Sequence, residues 1–216
     1  MPPTVFSINP GVTINPGVVL NGFASGGGPL RFNPTNSGTS LLFTNTNTTV
    51  TGAGTNLQES AITDTAINAG DKAWFSVLAN TIGVPAYTTI GIAKTAWSSG
   101  VFVGQDTTAQ GYSGDGNAYY NSNPFDGGLP TFSTGDVIDV AVYFVSSVPQ
   151  MWLRVNGGYW NNDNTANPAT NTGGLNGGFN DVNPIYFAVG PNDADQFTLR
   201  TTATSNPPAG FTFLGA

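Results

Sequence analysis

The stretch GDVIDVAVYFVSSVPQMWLRVNGGYWNN, Gly135 to Asn162, decides the fold, because two strand patterns and their turns lie within it. In its first half Ile138, Val140, Val142 and Phe144 alternate with Val137, Asp139, Ala141 and Tyr143, the period of two expected when one sheet face is buried. In its second half Met151, Leu153 and Val155 alternate with Trp152 and Arg154. A four-residue loop, Ser146 to Pro149, predicts Val145 opposite Gln150, Phe144 opposite Met151, Val142 opposite Leu153 and Val140 opposite Val155. Both apolar sets then share a face, and a slip by one residue would turn one of them outward. Asp139 falls on the outer face, diagonal to Arg154 and opposite Asn156, as a cross-strand polar pair. Asn156-Gly157 supplies the positive φ angles of a tight hairpin turn.

Further strands are marked by Trp74 with Phe75, Ile90 with Ile92, and Phe187 with Val189. The chain has 216 residues, which suits one β-sandwich able to bury roughly 70% of its unfolded surface. Val, Thr, Ile, Phe and Tyr gather in short runs divided by Gly, Pro and Asn, while one glutamate and two lysines against 29 glycines disfavour helix. Only 8% of residues are charged, so Asn, Thr, Ser and Gln must wet the surface, whereas 39% hydrophobic residues suffice for a core. With a formal charge of −7 and five basic residues scattered from Arg31 to Arg200, there is no cationic stripe for nucleic acid. No apolar run approaches membrane length, so no membrane insertion is expected. The absence of cysteine removes disulfides and thiolate metal sites.

The order of several short motifs carries a resemblance. GDKAWFSV (Gly70 to Val77), TIGIAK (Thr89 to Lys94), the glycine and tyrosine region FVGQDTTAQGYSGDGNAYYN (Phe102 to Asn121), GDVI with MWLRVNGGYW, NPIYFAVG (Asn183 to Gly190) and PPAGFTFLGA (Pro207 to Ala216) occur in this sequence. Together they resemble the SPRY domain, a variant of the concanavalin A-like lectin and glucanase sandwich. The likeness spans residues 31–216, and its opening, RFNPTNSGTSLLFTNTNTTVTG, is similar to versions encoded by bacteriophages. It implies an all-β fold, a two-sheet antiparallel β-sandwich of jelly-roll type.

Residues 1–30 differ in character. INPGV occurs at Ile8 to Val12 and again at Ile14 to Val18, ahead of the run Gly26-Gly27-Gly28. Asn-Pro-Gly is a turn signal, since Pro fixes φ and Gly accepts positive φ. An extended arm follows, with Ile8, Val12, Ile14, Val18 and Leu20 available either to pack along its own sandwich as an edge strand or to dock on a neighbouring subunit. Met1-Pro2-Pro3 opens without a basic region and apolar stretch, so no signal peptide is expected.

Histidine and cysteine are both absent, which removes the Ser-His-Asp relay, the Cys-His pair and imidazole metal sites. Glycoside hydrolysis needs only two carboxylates, yet Glu59 stands alone and the long central strand supplies only Asp139, so no catalytic residue is assigned. Asp163, Asp193 and Asp195 offer oxygens without a calcium-loop spacing, and neither metal nor cofactor is expected. Binding has better candidates. Asp115, Asn117, Tyr119 and Tyr120 lie in one loop region, and Tyr159, Trp160 and Asn161 in another. Flat rings beside amide and carboxylate acceptors suit a sugar; alternatively the rings close the sandwich ends while Asn and Asp form turns. The expectation is a non-enzymatic bacteriophage virion protein, made in the host cytoplasm and displayed in repeated copies on a capsid or tail. The alternative is a carbohydrate-binding module for a host surface glycan.

Overall fold

Few helix formers and many short β-branched runs leave the strand as the regular element, and no α-helix occurs among the described residues. The structure is a computed structural model describing residues 30–215 apart from 53, 55–58, 95–96, 98, 146, 182–183 and 204–206. The arm, with Ile8, Val12, Ile14, Val18 and Leu20, lies outside the described residues. In chain order the strands are β1 (Leu42–Thr44), β2 (Thr49–Thr51), β3 (Ala61–Ile67), β4 (Lys72–Thr81), β5 (Thr89–Lys94), β6 (Ala109–Ser113) and β7 (Ala118–Tyr120). They continue as β8 (Asn123–Asp126), β9 (Val137–Val145), β10 (Val148–Val155), β11 (Ile185–Gly190), β12 (Gln196–Leu199) and β13 (Thr212–Phe213). One sheet runs β1-β2-β12-β4-β9-β10 and the other β3-β11-β5-β6-β7-β8. All pairings are antiparallel except that of β13, which lies parallel to the start of β4.

The core lies between the sheets. Ile138, Val140, Val142 and Phe144 of β9 meet Phe75 and Val77 of β4, Ile90 and Ile92 of β5, and Phe187 and Val189 of β11. Phe75 and Phe187 stack across the gap with ring centroids 3.9 Å apart. Met151 and Leu153 are buried as the alternation requires, whereas Val155 is half-buried at the edge of the cluster.

The register of β9 with β10 differs from the expected one by two residues. Val145 faces Val148, Phe144 faces Pro149, Val142 faces Met151, Val140 faces Leu153 and Ile138 faces Val155. A two-residue shift keeps every side chain on its face, so apolar patterning cannot distinguish the two alignments; the loop length decides. Pro149 stands inside β10, an edge strand that tolerates it. The Met151 N–H points away from β9 to the Leu175 carbonyl (3.1 Å), so two residues earlier the missing donor of Pro149 also faces outward.

The outer face of this sheet is covered as well. Trp74, Ala141 and Trp152 pack there with Ala166 and Phe211, contributed by the segment after β10 and by the chain's end. Asp139 therefore is no surface residue: it is buried, directly opposite Arg154, and bonded to Ser76. The Asn156-Gly157 turn forms, with φ of 51° and 73°. No strand returns from it; the chain enters a single 3-10 turn at Trp160–Asn162, and Asn161 caps the β10 edge by accepting from the Leu153 N–H at 2.9 Å.

Candidate ligand-binding clefts

At one end of the sandwich three connections are stitched into a single surface. The β4–β5 connection contains Pro85, whose fixed φ suits the first turn of the 3-10 segment Pro85–Tyr87. Asp195 locks it from beneath: at 2% exposure, its carboxylate accepts from Gly83 N–H (2.6 Å), Asn192 N–H (3.0 Å) and the Thr88 hydroxyl. The β6–β7 turn joins through Gly114 N–H, which donates to the Pro85 and Thr88 carbonyls at 2.9 and 3.1 Å. Gly116, at φ 92°, makes the reversal, and its carbonyl accepts from Leu129 N–H at 3.1 Å. Phe132 N–H reaches the Gly114 carbonyl at 2.9 Å, which fixes the β8–β9 connection alongside.

Between these connections lies a cleft of about 500 Å³ with apolar lining from Val84, Pro85, Ala86 and Phe132, and two carboxylates, Asp115 and Asp136. Asp136 is held by Ser133 N–H (2.8 Å) and hydroxyl (3.1 Å) on one oxygen and by the Asn156 amide (2.7 Å) on the other. Asp115 is exposed and receives the Ser113 hydroxyl. Behind them the buried Tyr112 phenol donates to the Pro130 carbonyl. Burial pushes its pKa well above the usual phenol value, and the charges of Asp115 and then Asp136 add to that.

A second cleft, of about 190 Å³, lies on the other side of the Pro85–Tyr87 turn and is lined by Ala86, Tyr87, Thr89, Phe102 and Tyr119. Phe102 and Tyr119 meet edge to face at 6.0 Å. Val84 and Tyr87, 44% and 55% exposed, flank the shared turn, so the ledge between the clefts presents apolar groups to solvent.

The residues singled out in sequence divide among these sites and the scaffold. Tyr119 lines the smaller cleft and Asp115 the larger. Asn117, half-buried, shares the β6–β7 turn, where its carbonyl accepts from Ser113 N–H at 2.9 Å. Tyr120 points to the opposite face of β7 and packs on Phe179 at 6.1 Å, so the adjacent tyrosines form no common platform. Trp160 lies under the Arg154 guanidinium at 4.3 Å. Both ends of the Asn161 amide are used within the fold, on Leu153 N–H and the Gly173 carbonyl. Tyr159 is 68% exposed. Tyr87, Phe102 and Asp136 were not selected from sequence; Val-Pro-Ala-Tyr in a connection, and Ser133 three residues before Asp136, are the signals that mark them.

The remaining acids have local partners. Glu59 accepts from Ser40 N–H and hydroxyl at 2.8 and 3.2 Å. The Thr165 N–H, and then its hydroxyl, hold the Asp163 carboxyl below its ordinary pKa. Among the described residues no group of three or more His, Cys, Asp or Glu is placed to hold a metal ion.

No protein-family model and no curated protein matches the chain. Solved structures do. The SPRY domain of human HERC1 superposes with a TM-score of 0.59 at 16% identity, covering 78% of this chain and 96% of that one. A further human SPRY domain gives 0.54 at 16% identity, covering 77% and 98%. The PSpry domain of TRIM65 gives 0.54 at 12% identity, covering 81% and 90%. The fold is thus a SPRY-like sandwich.

Proposed function

We propose that this chain is a non-enzymatic recognition protein of a bacteriophage particle, attached to a capsid or tail subunit by residues 1–29 and presenting one end of its sandwich to a partner. The observation that carries the recognition role is the Val84 to Tyr87 ledge, exposed and apolar yet locked by the buried Asp195 between two clefts. Loops held on a rigid scaffold are the usual place for binding, and SPRY domains serve protein interaction. The virion role is supported by sequence: the repeated INPGV arm, the low-charge Asn/Thr/Gly composition and the phage-like opening at residues 31–52. Particles lacking the chain, mixed with it and sedimented, should retain the full protein and lose it when residues 1–29 are deleted. The deletion variant must keep its melting temperature. Equal retention of both forms would remove the arm from the attachment.

A second reading, glycan recognition, has one observation in its favour: Tyr87, Phe102 and Tyr119 bring three rings into the smaller cleft. Stacking of a sugar there predicts a loss of roughly tenfold or more in glycan-array affinity for Tyr87→Ala and Tyr119→Ala. Binding unchanged in both variants would end this reading. The enzyme alternative is tested by reducing-sugar release from bacterial and algal polysaccharides. Asp115 and Asp136 join Glu59 and Asp139 as acids to neutralise, because the first two share a cleft. No turnover is expected.

A further inference from the structure

The larger cleft has a chemical bias that the recognition role alone does not require. Two carboxylates line it, and none of the chain's five basic residues, Arg31, Lys72, Lys94, Arg154 and Arg200, is among its lining groups. Asp136 is fixed in place by three hydrogen bonds, while Asp115 is exposed at the β6–β7 turn. Both charges act on the same Tyr112 hydroxyl, so their fields overlap. The rest of the wall is Gly114, Thr131 and Ser133 with the apolar Val84, Pro85, Ala86 and Phe132, which favours a ligand with an apolar body and a cationic end.

We propose that the cleft between the Pro85–Tyr87 turn and Asp136 takes an arginine side chain of a partner polypeptide. The arm cannot be this occupant, because residues 1–29 contain no Lys or Arg. Arginine fits better than lysine on three counts. Its planar guanidinium offers five N–H donors, enough to engage two carboxylates at once. Its flat face and methylene stem can lie against the solvent-facing side chains of Val84, Pro85 and Ala86. It is also more weakly hydrated than an ammonium, so entry into a half-apolar cleft costs less. The chain's formal charge of −7 steers cationic partners toward it. The inference rests on reading the chain as a recognition module, but is measured without any particle, so each idea can fail while the other stands.

The test is a nuclear magnetic resonance titration of the full isotope-labelled chain with acetyl-Gly-Arg-Gly-amide and with the same peptide carrying citrulline or lysine. Expected are saturable shifts at Ala86, Gly114 and Asp115, with affinity roughly fivefold or more above that for citrulline and measurably above that for lysine. Asp115→Asn should weaken arginine binding by a similar factor. That variant preserves an acceptor for Ser113, and an unchanged melting temperature establishes that it is folded. Citrulline or lysine binding as well as arginine, an unaltered Asp115→Asn titration, or no saturable shift in these residues would each overturn the assignment.

Discussion

Asp139 sits fully buried on the outer face of β9, one carboxylate oxygen on the Ser76 hydroxyl and the other 3.0 Å from Arg154 Nε. Arg154 in turn stacks on Trp160, so one residue ties β4, β9, β10 and the segment beyond into a unit. Removing one member leaves a buried charge without its partner, which typically costs about 3–5 kcal/mol. Arg154→Met is therefore expected to lower stability by about that much in urea unfolding. The double variant Asp139→Leu with Arg154→Met should recover much of the loss, since the packing around Trp74 and Trp152 is apolar. Tyr112 supplies a pH signature. Its folded pKa lies above the unfolded value of about 10, so the folded state keeps a proton that the unfolded chain releases. Stability from this source is constant below about pH 10 and falls as the pH rises beyond it. Melting temperature against pH should show that fall in the parent chain. It should flatten in Tyr112→Phe, which also costs about 1 kcal/mol through the unpaired Pro130 carbonyl.

The β9–β10 pair makes the element-scale test, because its register separates two alignments that bury the same residues. Met151 N–H bonds outward to Leu175, which makes Val142 and Met151 a non-hydrogen-bonded pair, with Cα atoms about 4.5 Å apart. The chain has no cysteine of its own, so an engineered pair is unambiguous. Cysteines at positions 142 and 151 should oxidise to a disulfide, while cysteines at 142 and 153, which are diagonal, should not. Cross-linking of only the second pair would restore the four-residue loop. Truncating Leu153 to alanine should cost about 2–4 kcal/mol in either register, since it is buried in both. That contrast shows what was legible beforehand. Period-two alternation identified β9 and β10 and their inward residues, because facing depends only on neighbours along the chain, while apolar runs marked β4, β5 and β11. Register depends on the loop length, which alternation does not carry, and the covered outer face and the burial of Asp139 depend on segments twenty or more residues away, such as Thr172 accepting from Trp152 Nε1 at 2.7 Å. The clefts were legible only in part: Tyr119 and Asp115 stand in a conspicuous loop, but Asp136 and Asp195 matter through partners on other connections.

At the scale of the whole molecule, a SPRY-like sandwich carries two clefts about one pinned turn, and its N-terminal residues are proposed to tether it. The chain's acidic balance and the carboxylates of the larger cleft favour a basic partner, whereas the aromatic cleft favours stacking; the two are close enough for one partner to use both. Docking of the arm on another subunit predicts that proteinase K removes residues 1–29 from the isolated protein and spares them on the particle. The remaining domain should melt almost unchanged, as docking on another subunit rather than on the sandwich itself requires. The central claim is that this protein belongs to a phage particle, and its most direct test is localisation on particles produced from the genome that encodes it. Immunogold electron microscopy of purified particles, with mass spectrometry of the same preparation, should find the chain in repeated copies at one class of surface position. Particles that purify free of the chain, while it accumulates in the infected lysate, would contradict the claim.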